Sequence, residues 1–412
     1  MSAPASPTPP APGGSRPSGP DAAAAAPLPG WLWLFAACNF VIGTGAFGMT
    51  GYLGPVADGL GVSVSAAGQT MTVYALANAV LAPLLLALTA HWRRAAVMRL
   101  ALGLFAGGTL LSAAAPSLAV LMAGRVLMGA GAVFTPVAAG LAVQLAAPEQ
   151  RGRALSRTFL GMSLSYVLGM PYGAWVGLQW GWRWPLLSVG VAALLIGWLL
   201  HRRLRAGMEP GGTPLGGIGA LLRRRDVVVA LALTLLYFTG IFVVTAYTGP
   251  VQLALNPLTP SQLSALLAAT GAAGVVGTLA GGWAADRLGP RRTLVLLLGC
   301  LLVAMVSAPL TAGHPLLTAA VFAIWTTCGF GLMTPQQSRL AELAFAQAPL
   351  LLSLNASMVY IGTALGSAIG GAAIPVIGLA HLPWLGAVFV AGALATLALR
   401  PTPRCPRGHA SA

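Results

Sequence analysis

The 412-residue chain contains no lysine, and only seven of its residues are acidic: Asp21, Asp58, Glu149, Glu209, Asp226, Asp286 and Glu342. Without lysine there is no Gly-Lys end to a phosphate-binding loop, so intrinsic ATP-driven pumping is not expected. Schiff-base chemistry is excluded for the same reason. The five histidines, His91, His201, His314, His381 and His409, are scattered along the chain. With so few acids they form no cluster fit for general acid–base work or for a catalytic metal, which argues against an integral-membrane enzyme. Of the four cysteines, Cys38, Cys300 and Cys328 lie in apolar runs and read as small hydrophobic filler. Cys405 and His409 share a polar tail, but two candidate ligands fall short of a zinc site. No metal or cofactor is expected.

Charge in general is scarce. Charged residues make up 7% of the chain, against roughly 25% in soluble domains. The hydrophobic share is 57% and the mean hydropathy +0.83. Apolar runs follow one another near 31–56, 68–90, 97–115, 117–146, 155–178, 185–200, 227–249, 262–285, 293–312, 316–334, 350–377 and 383–399. Runs of this length suit helices that cross a bilayer, and the short alternating segments of a transmembrane barrel do not occur. The expected fold is an all-α membrane protein of about twelve transmembrane helices. The net charge of +15 is a topology signal: all but four of the 22 arginines fall in the two tails or the even-numbered loops, and two of those four, Arg99 and Arg157, lie within three residues of such a loop. Arginine-rich loops mark the cytoplasmic side, which predicts cytoplasmic termini, a lipid partner and no nucleic acid. Abundant Ala, Gly, Pro and Arg beside absent Lys suggest a bacterial source, hence a multi-pass protein of the plasma (inner) membrane. A monomer is expected.

The Pro/Ala/Gly/Ser-rich stretch 1–30 reads as a disordered cytoplasmic tail. A polar break at 201–226 separates two six-helix bundles, 31–200 and 227–399, and a second tail covers 400–412. The halves look related. Each has an Arg-Arg pair after its second span, Arg93-Arg94 and Arg291-Arg292, and each has glycines four apart in its fifth span. Those ladders are Gly169, Gly173, Gly177 and Gly362, Gly366, Gly370. A tandem duplication of six helices is a frequent plan of alternating-access transporters, with the substrate between the repeats. Glycines at i, i+4 and i+8 share one helix face and admit a neighbouring backbone. Two readings stand level: a smooth face on which the halves slide, and ordinary tight packing.

Several stretches resemble the major facilitator superfamily, and within it the twelve-helix drug:proton antiporter branch that includes arabinose-efflux-like permeases. "GGWAADRLGPRR" is similar to the loop signature G-x-x-x-D-R-x-G-R-R, with Gly282, Asp286, Arg287, Gly289 and Arg291 in place and Pro290 inserted. "RVLMGAG" resembles the fourth-helix signature through Arg125, Gly129 and Gly131. "GMPYG" resembles the antiporter signature of helix five, with Gly169, Pro171 and Gly173. The likeness spans nearly the whole chain after residue 30. It implies two pseudo-symmetric bundles, no enzymatic activity and proton-coupled export of a small molecule such as a drug, sugar or nucleoside. The first-half loop, "LALTAHWRRAAV", lacks the signature's aspartate. Related exporters often carry an acid in helix one, where this chain has Ala46 in "GTGAF".

Arg125 is a permanent charge inside an apolar run, at a cost of at least about 2.5–3.5 kcal/mol if it faced lipid. It is expected either to serve a wet cavity or to satisfy carbonyls of helix one, with Gly129 on the same face leaving room for it. The resemblance implies a part for it in proton coupling. Asp58, at the outer end of helix one, is the best remaining carboxylate for that purpose. Asp286, with Arg287 and Arg291 beside it, is expected to latch the inner gate against the start of helix five near Ser156. Candidate substrate contacts are Asn39, Tyr74, Asn78, Arg125, Tyr166, Tyr237, Asn355 and Tyr360, whose hydroxyl and amide groups suit a neutral polyol, nucleoside or amphipathic drug. The missing helix-one acid keeps an uncoupled facilitator open beside the proton-driven exporter. A transport-dead receptor is a remote third reading.

Overall fold

Prolines and glycines mark where this chain's helices bend, and the computed structural model describes residues 30, 32–147, 150–203, 218–343 and 347–398. The expectations for the tails at 1–29 and 399–412, for linker residues 204–217, and for Asp21, Glu149, Glu209, Cys405 and His409 lie outside the described residues. The first half holds α1 (Leu32–Gly51), α2 (Val64–Leu88), α3 (Arg94–Ala113) and α4 (Leu118–Gln144). Next comes α5, in three pieces: Arg151–Leu164, a π turn Ser165–Gly169, and Met170–Gln179. It ends with α6 (Arg183–Arg203). The second half holds α7 (Arg225–Thr245), α8 (Pro260–Leu288), α9 (Pro290–Thr311), α10 (Pro315–Leu343), α11 (Leu350–Ile377) and α12 (Leu379–Ala398). Eleven of these are long and apolar enough to cross a membrane. The twelfth, α5, is divided by its π turn and opens with Arg151, Arg153 and Arg157. The result is a multi-pass bundle of two six-helix halves, with the start of α1 and the end of α12 at one end, the near end.

The interruptions follow from proline chemistry. Pro171 has no N–H for the carbonyl of Val167, so α5 widens into the π turn there, with the Met170 N–H reaching back to the Ser165 carbonyl. Pro136 and Pro335 lie four residues beyond Ala132 and Gly331, and α4 and α10 bend at those places. Both bends follow a heptapeptide with glycine at its fifth and seventh positions, "RVLMGAG" at 125–131 and "WTTCGFG" at 325–331. A second repeat, "TGYLGPV" at 50–56 and "TAYTGPV" at 245–251, ends α1 and α7 and starts the short helices Leu53–Leu60 and Thr248–Leu255. The internal duplication is therefore written most plainly at the bends.

The glycine ladders face inward within each half. Gly169 packs on Thr44, while Gly173 and Gly177 pack on Tyr52, all from α1 and its extension. Gly362, Gly366 and Gly370 meet the backbone of α7 at Leu235, Thr239 and Val243. The sliding-face reading is thereby corrected: these glycines lock α5 to α1 and α11 to α7 by close van der Waals approach. The halves meet through other surfaces, α2 against α11 and α8 against the π turn and second piece of α5. Ser65 Oγ donates to the Gly371 carbonyl at 2.5 Å, Gln69 Nε2 to Tyr247 Oη at 3.5 Å, and Ser264 Oγ to the Pro171 carbonyl at 3.0 Å. Gly249 abuts the Gly51 carbonyl, and Gly271 the Tyr166 carbonyl. Every described hydrogen bond between halves lies from mid-depth toward the far end, opposite the termini.

Candidate functional site

Arg125 is 1% exposed and has no carboxylate partner among the described residues. Its Nη1 donates to the carbonyls of Gly45 (2.8 Å) and Ala46 (3.4 Å), and Nη2 reaches Met49 Sδ at 3.0 Å. The two carbonyls belong to the end of α1's α-helical part, Leu32–Phe47, and Met49 to the 3-10 turn Gly48–Gly51 into which it tightens. A helix end has carbonyls to spare and a negative partial charge of about half a unit, so a guanidinium caps it well. Of the two readings of Arg125, the geometry has it satisfying carbonyls of helix one. Ala46, at the position where related exporters often carry an acid, contributes its backbone oxygen instead. Nε has no partner, and the group borders a cavity of about 10 Å³ shared with Thr50, Gly68 and Thr70, room for one water. Gly129 does not make space for the guanidinium: a Cβ there would lie 2.6 Å from the Tyr74 carbonyl, so it admits α2.

At mid-depth the two halves bring aromatic rings together. Phe47 of α1 stacks on Tyr166 of α5 (centroids 5.1 Å) and lies 6.3 Å from Phe242 of α7. Tyr166 meets the edge of Phe330 of α10 at 4.8 Å. The Phe47–Phe242 and Tyr166–Phe330 pairs each join one half to the other. Tyr74, Tyr166 and Tyr360 converge from α2, α5 and α11. Asn78, one turn beyond Tyr74, sits beside the Tyr74 and Tyr360 hydroxyls, and its Nδ2 has no hydrogen-bond partner. Phe47, Tyr166, Phe330 and Tyr360 are partly exposed. They form an aromatic ceiling studded with hydroxyl and amide groups. Of the expected substrate contacts, Tyr74, Asn78, Tyr166 and Tyr360 come together here.

The other expected contacts do not. Asn39 donates to the Thr158 carbonyl (2.8 Å) and accepts from Thr135 Oγ1 (2.8 Å), so both ends of its amide tie α1 to α5 and α4. Asn355 accepts from Thr234 Oγ1 at 2.6 Å, and Gln336 donates to Thr234 Oγ1 (2.9 Å) and to the Ala230 carbonyl (2.7 Å). That is the same tie in the second half, joining α7, α10 and α11. Tyr237 is fully buried, with its hydroxyl toward Met333 Sδ. In this structure these three side chains are engaged between helices, apart from the aromatic cluster.

The coupling and gating candidates are similarly dispersed. Asp58 is exposed at the far end, away from Arg125. Asp286 and Ser156 are both exposed with no bond between them, so the expected latch is unformed while the halves are joined only farther along. Arg287 lies over the Trp283 ring at 4.7 Å, and Arg291 donates to the Leu397 carbonyl at 2.9 Å. Pro171 contributes its carbonyl to the inter-half bond from Ser264. Sequence reasoning missed Phe47, Phe242 and Phe330, since a phenylalanine in an apolar span carries no sign of joining the two halves. It also missed Tyr247, which the repeat around Tyr52 would have revealed.

Residues 35–362 match the family model described as Major Facilitator Superfamily. The chain is 32% identical over 359 residues to the inner membrane transport protein YdhP of Escherichia coli O157:H7, covering 86% of this chain and 91% of the relative. It is 32% identical over 327 residues to a chloramphenicol efflux pump of Mycobacterium tuberculosis, covering 78% of this chain and 76% of the pump. The solved structure of a D-xylose-proton symporter superposes with a TM-score of 0.74 at 14% identity, over 89% of this chain and 96% of that one. Two duplicated bundles, matching bends, a guanidinium capping helix one and this breadth of similarity have one reading: the chain is a transport protein belonging to the Major Facilitator Superfamily.

Proposed function

We propose that the chain carries small, uncharged molecules out of the cytoplasm by alternating access, driven by the solute's own gradient instead of a carboxylate-based proton cycle. The arginine bias assigns the near end to the cytoplasm, so a crevice joined only toward the far end is inward-facing. A solute entering it would meet the aromatic ceiling of Phe47, Tyr166 and Phe330, with Tyr74, Asn78 and Tyr360 offering donors and acceptors. Flat apolar surface with a few convergent polar groups is the usual make-up of a small-molecule site. The observation carrying the absence of proton drive is the whereabouts of the acids. Among the described residues, Asp58, Asp286 and Glu342 are exposed near helix ends, and Asp226 is paired with Arg224 at 2.7 Å at the start of α7. None borders the ceiling or Arg125, where a proton-exchanging group would have to work.

The relative named for chloramphenicol efflux supplies a concrete probe, because that molecule is neutral and combines an aromatic ring with hydroxyl and amide groups. Labelled chloramphenicol counterflow in proteoliposomes is expected to proceed equally with and without an imposed pH gradient, and to resist protonophore. Counterflow that follows the pH gradient would restore proton antiport, the reading that resemblance to drug:proton antiporters favours. If chloramphenicol is not carried, a growth screen of an expressing strain against nucleosides, sugars and other antibiotics supplies the solute for the same assay.

A further inference from the structure

Among the described residues, the near-end rim of the first half is a surface of donors without counter-charge. Its helices α3 and α6 pack side by side, bringing Arg93, Arg94 and Arg99 to the same margin as Arg202 and Arg203. Arg99 is five residues beyond Arg94, about 7.5 Å deeper along the helix, and exposed. Its Nη1 lies 3.0 Å from His201 Nδ1. An arginine can only donate, so Nδ1 accepts and the proton of the neutral ring sits on Nε2, adding one more outward donor. The Arg202 guanidinium lies 3.9 Å over the ring of Trp198, itself 50% exposed. Stacking on an indole fixes a guanidinium's plane while leaving its N–H edge free. The only described acid in this half is Asp58, at the far end. The second half differs: Arg224 has Asp226, and Asp286 and Glu342 share its near end.

We infer that Arg99, His201, Trp198 and Arg202 form a binding site for the phosphate of an anionic lipid, such as phosphatidylglycerol, in the leaflet at the near end. Tryptophan settles at the headgroup level of a bilayer and arginine stems extend along apolar surface toward it, so the depth suits a headgroup. A set made wholly of donors selects an acceptor carrying charge, and a guanidinium edge matches phosphate geometry. Basic pockets between helices on the cytoplasmic side recognise anionic headgroups in this way.

Native mass spectrometry of the purified full chain, offered phosphatidylglycerol and phosphatidylcholine in equal amounts, tests the site. Wild type is expected to retain phosphatidylglycerol preferentially. Arg99→Gln with Arg202→Gln is expected to lose that preference roughly thirtyfold, as two surface charges warrant, while Arg183→Gln at the far end leaves it intact. Trp198→Leu, which keeps every charge, is expected to weaken retention by a smaller factor and serves if the double variant does not fold. Equal retention of both lipids by wild type overturns the assignment, as does undiminished preference in the double variant. Displacement of the lipid by inorganic phosphate at millimolar concentration would make the ligand a soluble anion, and so overturn it too.

Discussion

Residues 125–131 and 325–331 occupy the same place in the two halves, before the same bend, and share two glycines but not their first residue. One half has a guanidinium there and the other an indole, both buried: Arg125 is 1% exposed and Trp325 3%. The cause lies in the helix each must face. In the first half α1 tightens into a 3-10 turn at Gly48–Gly51, and the Gly45 and Ala46 carbonyls accept from Arg125. In the second half α7 stays α-helical to Thr245, past Gly240 and Ile241, the counterparts of Gly45 and Ala46, so those carbonyls stay within the helix's own hydrogen bonds. Trp325 stacks instead on Phe322, with centroids 5.2 Å apart and planes 5° apart. A duplicated frame thus keeps a charge only where a neighbouring backbone has acceptors to give.

The widest test of that contrast moves the charge. Trp325→Arg would bury a guanidinium with no acid near it, a penalty of several kcal/mol. The variant is expected to vanish from the folded fraction in fluorescence-detected size-exclusion chromatography. Arg125→Ala strips donors from two buried carbonyls and opens a void. It is expected to cost about 3 kcal/mol and to abolish transport while still inserting. Arg125→Lys cannot reproduce the two-edged contact and should not restore it. A Trp325→Arg variant as stable as wild type would mean that α7 has spare acceptors as well, and the explanation of the asymmetry would fail.

The same contrast explains what could be read without coordinates. Helix number, the two halves and their common origin were legible because a bilayer demands long apolar runs and because Arg-Arg pairs and glycine ladders recur. The facing of those ladders was not legible, since Gly173 would look the same on a sliding surface or against Tyr52. For Arg125 both readings were in view, and only distances to Gly45 and Ala46 decided between them. Asn39 and Asn355 misled because an amide in an apolar helix looks alike whether it serves a ligand or a neighbouring hydroxyl. Tyr74, Asn78, Tyr166 and Tyr360 were found as polar residues in spans, whereas the rings of Phe47 and Phe330 beside them had no such mark.

A finer comparison sets the two ladders against each other. An alanine Cβ at Gly366 would run into the Thr239 carbonyl and the Phe242 backbone, neither of which can swing aside. At Gly173 the nearest atoms are the Tyr52 ring at 3.1 Å and the Gly48 carbonyl oxygen at 3.3 Å, a milder squeeze than at Gly366. Gly366→Ala is expected to lose about 1–3 kcal/mol through overpacking. Gly173→Ala should come close to neutral, because alanine's helix propensity returns up to about 1 kcal/mol. Thermal unfolding in detergent measures both. Equal losses would show that the halves are packed alike, against the contact geometry.

The smallest effects belong to the paired polar ties, and they separate joints from ligand contacts. Interhelical hydrogen bonds in membranes average about 0.6 kcal/mol and reach about 1.7, so Asn39→Ala and Gln336→Ala should each lower stability by roughly that range. A double-mutant cycle between Asn39→Ala and Thr135→Val should give a coupling energy of similar size, since Thr135 Oγ1 donates directly to the Asn39 amide. Transport KM should hardly move in either single variant, because the Asn39 amide and the Gln336 Nε2 are spent on protein. Asn78→Ala is the counterpart: its Nδ2 is unpartnered at the ceiling, so its removal should raise KM severalfold with little loss of stability. A KM shift at Asn39 as large as that at Asn78 would return Asn39 to the crevice. The symmetric tie between the two halves would then be coincidence, not a shared structural device.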